Sequence, residues 1–112
     1  MKLLQKAKKS LGQNFLTDNN IINKIVAIGN IDKSKTVMEI GAGYGNLTKA
    51  IASAGPKKIF AIEKDKKLVS FLKNKFKNYN NIKIIDRDIL NIIEKNKLEQ
   101  NTIVFGNLPY NM

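Results

Sequence analysis

Thr36-Val37-Met38-Glu39-Ile40-Gly41-Ala42-Gly43-Tyr44-Gly45 reads as a short buried strand that runs without a break into a glycine-rich turn. Residues 46–54 follow with helical spacing and stop at Gly55-Pro56, and residues 58–62 give a second apolar run closed by Glu63. A strand, a glycine turn, a helix and a second strand in that order form the unit from which parallel sheets are built. The pattern repeats downstream. A helix is expected over residues 65–77 with Leu68, Phe71, Leu72 and Phe76 as its apolar stripe, and its lysines at 66, 67, 73 and 77 read as a solvated face. Residues 81–86 give strand three, residues 91–98 a short helix, and residues 102–105 strand four. Upstream, Ile21, Ile22, Ile25, Val26 and Ile28 recur at helical spacing, with Thr17 placed as the N-cap and Gly29 as the stop. The fold class is therefore α/β, a Rossmann-like parallel sheet with helices on both faces. Right-handed crossovers make 3-2-1-4 the expected strand order. Ligands of such sheets bind beyond the carboxyl ends of the strands, where the order reverses, so the turn after strand one and the loop after strand four should face one crevice.

Composition narrows the chemistry. The 112 residues include no cysteine and no histidine, which removes disulfides, thiolate metal sites, the common zinc constellations and any His-dependent triad. No metal site is expected. Carboxylates, amides, hydroxyls, lysines and backbone groups are left. Twenty basic residues against nine acidic ones give a net charge of +11, and every basic residue but Arg87 is a lysine. Such a chain attracts polyanions, with ribosomal RNA, DNA and anionic membrane as the candidates, although coding bias toward Lys, Asn and Ile accounts for part of the excess. Residues 1–13, with Lys2, Lys6, Lys8 and Lys9, read as a basic arm. No apolar run suits a signal peptide or a membrane span, so a cytoplasmic protein is expected.

Two places carry the candidate site. Gly41 and Gly43 let the backbone approach a ligand closely, and the third glycine follows the second after two residues rather than the three of the nicotinamide fingerprint. Glu39 just ahead of the turn suits a ligand with a cationic head. Glu63 at the end of strand two is placed to accept the hydroxyls of a ribose, the alternative being a pair with a neighbouring lysine. Asp88, just past strand three, is a candidate acceptor for an exocyclic amine, with Asp86 expected inside the strand. The second place is Gly106-Asn107-Leu108-Pro109-Tyr110-Asn111. There an amide and a carbonyl can accept from an adenine amine, a proline fixes the turn, and a tyrosine offers a face for a base.

Gln13-Asn14-Phe15-Leu16, the Glu-x-Gly-x-Gly-x-Gly turn, Ile62-Glu63-Lys64-Asp65, Asp88-Ile89-Leu90 and the Asn-Leu-Pro-Tyr loop occur in that order. Together they closely resemble the ribosomal RNA adenine N6,N6-dimethyltransferases. The uninterrupted Gly-Asn-Leu-Pro-Tyr-Asn run and the lysine-rich lead into Gly12 favour the small-subunit branch over the large-subunit, macrolide-resistance branch. The resemblance implies S-adenosyl-L-methionine as cofactor and N6,N6-dimethylation of adenosines in small-subunit ribosomal RNA, or its precursor particle, as the activity. It implies that Asn14 and Leu16 line the cofactor pocket, that Gly41 and Gly43 face the methionine part, that Glu63 holds the ribose and that Asp88 holds the cofactor adenine. Asn107 would touch both the methyl donor and the target amine, Leu108 would offer its carbonyl, and Tyr110 would stack on the target base.

Members of that family continue beyond the Asn-Leu-Pro-Tyr loop into further strands and a helical domain. Residues 14–112 are therefore expected to be the N-terminal part of the catalytic domain, with strand four left as an open edge that uncovers Val104 and Phe105. Three alternatives stay open at this point. A DNA adenine methyltransferase normally carries a second proline where Leu108 stands, and a nicotinamide-dependent dehydrogenase is disfavoured by the glycine spacing. A cofactor- or RNA-binding fragment without turnover is the third.

Overall fold

The computed structural model describes residues 18–87 and 101–106. Within them lie α1 (Asn19–Ile28), β1 (Thr36–Ile40), α2 (Asn46–Ser53), β2 (Lys58–Glu63), α3 (Lys66–Lys75), β3 (Ile82–Asp86) and β4 (Thr102–Gly106). The four strands form one sheet in the order β3-β2-β1-β4, and all three pairings are parallel. The expected strand order is the observed one, whereas the three described helices all pack on one face of the sheet, so the helices expected on the other face do not occur among the described residues. The helix anticipated at residues 91–98 and the arm at residues 1–13 lie outside the described residues.

Alternation along the strands sorts the core. Val37, Ile59 and Ala61 point to the face that carries the three helices, where Val37 and Ile59 pack with Ile22 of α1 and with Leu47 and Ile51 of α2. Ala61 packs with Leu72 and with Phe76, just beyond α3. On the opposite face Met38 and Ile62 form a separate cluster with Ile40 and Ile85 against it. Runs buried on both faces, rather than a simple in-out alternation, are what a parallel sheet demands.

Four local details differ from the sequence reading. Asp18, not Thr17, caps α1: its carboxylate accepts from the Asn20 and Ile21 amides. Gly29 ends α1 with an ordinary right-handed φ of −72°, and the positive φ falls on Asn30 at 49°. Gly29 owes its identity to packing, since a Cβ there would lie 2.9 Å from Cζ of Phe105. That contact also corrects the picture of β4, because Phe105 is packed against the α1–α2 core and only Val104, 48% exposed, is bare. On α3 the inward stripe uses Val69 and Leu72, while Phe71 turns outward. The lysines at 66, 67, 73 and 77 are exposed, as expected.

Candidate methyl-donor site at the ends of β1 and β2

The strands end level. Ile40 pairs with Ile62 on one side and with Gly106 on the other, and Glu63 pairs with Asp86. Gly41 leaves β1 and Arg87 leaves β3 at this carboxyl edge of the sheet, beside Glu63 at the end of β2. Asp86 closes β3 within the strand, as read from the sequence. Asn14, Leu16, Asp88, Asn107, Leu108 and Tyr110 lie outside the described residues.

The glycine turn is built by backbone bonds to β2. The amides of Gly41 and Ala42 both donate to the Ile62 carbonyl, at 2.8 and 3.2 Å. Gly41, Gly43 and Gly45 have φ of 77°, 60° and 85°, a region that costs any residue with a Cβ. The glycines otherwise serve different ends. A Cβ at Gly45 would press within 2.7 Å of Phe76 and 3.0 Å of Leu72, so this glycine lets the start of α2 close onto the α3 side of the core. Among the described residues, a Cβ at Gly43 would meet no heavy atom within 4 Å. None of those residues packs on Gly43, which leaves its approach open to a ligand on their side.

Glu63 borders that space. Its side chain is 8% exposed, one carboxylate oxygen accepts from the Gly43 amide at 2.9 Å, and the other accepts from the Asp65 amide at 3.0 Å. Backbone amides, rather than a lysine, hold it among the described residues. A carboxylate offers about four acceptor sites, so two remain for hydroxyl donors. Fixing the Glu63 rotamer also fixes Gly43, so the acid and the turn form one rigid unit. Asp65 in turn caps α3 by accepting from the Lys67 and Leu68 amides.

Glu39 departs from the sequence reading. It is only 1% exposed and accepts a hydrogen bond from the Thr48 hydroxyl on α2, so it joins β1 to α2 beneath the turn and does not offer itself to a ligand's cationic head. Burial, opposed by the Thr48 hydrogen bond and reinforced by the charge of Glu63, pushes its pKa up from 4.5 to about 7. Periodicity alone could have found this. Glu39 shares its face with Val37, and that face is covered.

Residues 4–112 match the family described as ribosomal RNA adenine dimethylase. The chain belongs to that family. Among relatives, a ribosomal RNA small subunit methyltransferase A from Pelagibacter ubique is 52% identical over 107 residues, a match covering 96% of this chain and 40% of the relative. The protein of the same name from Wolbachia pipientis subsp. Culex pipiens is 45% identical over 112 residues, covering 99% of the chain and 42% of that relative. The chain thus spans about 40% of the length of the curated relatives it matches. Among solved structures, a dimethyladenosine transferase from Plasmodium falciparum superposes with a TM-score of 0.68 at 30% identity, over 82% of this chain and 32% of that one. The 23S rRNA methyltransferase ErmE superposes with a TM-score of 0.72 at 24% identity, over 83% of this chain and 36% of its own, a likeness that speaks for the fold. The Rossmann-like methyltransferase fold expected from the strand–helix alternation and the family resemblance is the fold of these neighbours.

Proposed function

We propose that the chain binds S-adenosyl-L-methionine at the carboxyl ends of β1 and β2. We further propose that, together with the segments its relatives carry beyond this length, it dimethylates N6 of adenosines in small-subunit ribosomal RNA. The observation that carries the reading is the Gly43–Glu63 unit, an open glycine bonded to a nearly buried carboxylate that still has acceptor capacity. The cofactor would supply an electrophilic methyl group on a sulfonium. Gly41 and Gly43 would admit its methionine part, Glu63 would accept its ribose hydroxyls, Asn14 and Leu16 would line the pocket, and Asp88 would accept from its adenine amine. The family's branch and the cytoplasmic location belong to the same proposal. Among the described residues no helix is long and apolar enough to cross a membrane.

Adenine N6 is a weak nucleophile because its lone pair is delocalised into the ring. The Asn107 side chain and the Leu108 carbonyl would each accept a hydrogen bond from the amine, draw the nitrogen toward tetrahedral geometry and localise the pair. Tyr110 would stack on the base once it leaves its helix. Alignment of donor and acceptor would supply much of the remaining acceleration. Two rounds at one nitrogen give the dimethylated product.

Calorimetry tests the cofactor site. S-adenosylhomocysteine should bind the chain, and Glu63→Ala should weaken that binding by about 1–3 kcal/mol, the range for losing a hydrogen-bond partner of a charged group. Unchanged affinity in the variant, or preferential binding of NADH by the parent, contradicts the assignment.

A further inference from the structure

Tyr44 and Phe71 stand beside each other outside the core, 53% and 45% exposed. Their rings meet edge to face, with centroids 5.6 Å apart and planes at 81°. One belongs to the glycine turn, next to the open Gly43. The other belongs to α3, where the inward positions are already filled by Val69 and Leu72. Lys75, one turn further along α3, ties the two together. Its Nζ donates to the Tyr44 carbonyl at 2.8 Å and lies 5.7 Å from the Phe71 ring centroid. Lys49, exposed in the first turn of α2, where its amide donates to the Gly45 carbonyl at 2.9 Å, puts a second ammonium group beside the same turn; burial and then the charge of Lys49 lower the pKa of Lys75.

Such a patch has a definite chemistry. In an edge-to-face pair, the ring that contributes its edge keeps both faces unblocked by its partner. Aromatic faces flanked by ammonium groups suit unpaired nucleotides, whose bases stack while their phosphates meet the lysines. A paired RNA helix hides its base faces and offers mainly phosphate and ribose. The net charge of +11 favours a polyanion over an acidic small molecule. The tether from Lys75 leaves two of its three ammonium protons for a phosphate.

We propose that Tyr44, Phe71, Lys49 and Lys75 form a docking patch for a single-stranded segment of the RNA substrate beside the glycine turn. The proposal rests on reading the neighbouring turn as the methyl-donor site, which places the patch one residue from it.

Fluorescence anisotropy with labelled oligouridylate, and with a fully paired RNA hairpin of equal length, tests the patch. The parent chain should prefer the single strand. Phe71→Ala and Phe71→Leu should each weaken oligouridylate binding about tenfold, the scale of losing one stacked base. The leucine variant keeps apolar bulk and separates stacking from any folding defect. Lys49→Gln should flatten the salt dependence by about one phosphate contact. S-adenosylhomocysteine affinity should stay at the parent value in all three. Parent-like oligouridylate affinity in both Phe71 variants, or in the leucine variant alone, overturns the proposal, as does a parent that prefers the hairpin. Failure of the parent to bind S-adenosylhomocysteine would overturn the methyl-donor reading instead, while the RNA titrations still decide the patch.

Discussion

Asn107→Ala, made in a chain extended by the C-terminal segments of a curated relative, should lower methyl transfer roughly hundred- to thousandfold. That is the scale of removing one preorganised hydrogen-bonding group from a reacting centre. Cofactor affinity should stay within about tenfold, or roughly 1.4 kcal/mol. The split follows from where the amide acts. Its bond to the target amine strengthens as the nitrogen changes geometry, so its loss falls on kcat more than on ground-state binding. Single-turnover transfer from labelled S-adenosylmethionine, alongside calorimetry with S-adenosylhomocysteine, separates the two quantities. Full activity in the variant removes the loop from the mechanism.

Stability of the chain should fall as pH rises from about 4.5 to about 7, and Glu39 is the reason. Its carboxyl has a pKa raised to about 7 in the folded chain from an ordinary value of 4.5. The native state therefore keeps a proton that the unfolded state releases. Stability from this group is complete below the unfolded value and is lost as pH passes through the folded one. The loss is on the order of 3 kcal/mol. Denaturant midpoints of the parent and of Glu39→Gln, measured across this range, give the check. The glutamine still accepts from Thr48 but does not ionise, so its curve should lack the decline and cross above the parent near neutral pH. Parallel curves would mean that Glu39 ionises as freely folded as unfolded.

The fold was legible because each of its signals is local and repeated. Apolar runs at 36–40, 58–62, 81–86 and 102–105, each closed by a glycine or an acid, lie within a residue of the observed strands. Handedness then allowed few orders. Side-chain direction was harder where two apolar residues compete. On α3 the sequence stripe of Leu68, Phe71, Leu72 and Phe76 was right in Leu72 and Phe76, which pack against Ala61 and Gly45, but in the folded helix Val69 turns inward and Phe71 outward. Phe105 was misjudged because nothing near it in sequence shows that a glycine-ended helix, α1, leaves room for its ring.

The site was legible in composition and less so in role. Glu63 stands where an acid closing strand two was expected, yet its hold on the Gly43 and Asp65 amides depends on a turn whose shape sequence does not give. Glu39 shares the covered face of Val37 and could have been read as sealed from that alternation, whereas nothing in the sequence says that Glu63, on the same face of β2, is held by the amides of the turn and of Asp65. The Lys75–Tyr44 tether joins positions 31 residues apart, beyond the reach of any periodicity. The Asn-Leu-Pro-Tyr loop and the Gln-Asn-Phe-Leu segment rest on sequence resemblance and on membership of the family.

The central claim is that this chain supplies the methyl-donor half of an adenosine N6 dimethyltransferase. Its most direct test is nucleoside mass spectrometry of unmodified small-subunit ribosomal RNA incubated with S-adenosylmethionine and the extended chain. The expected result is N6,N6-dimethyladenosine, formed through the monomethyl intermediate and absent when Asn107→Ala replaces the parent. Methyl groups confined to another nucleoside, or an RNA left unmodified by a chain that binds the cofactor, would contradict it.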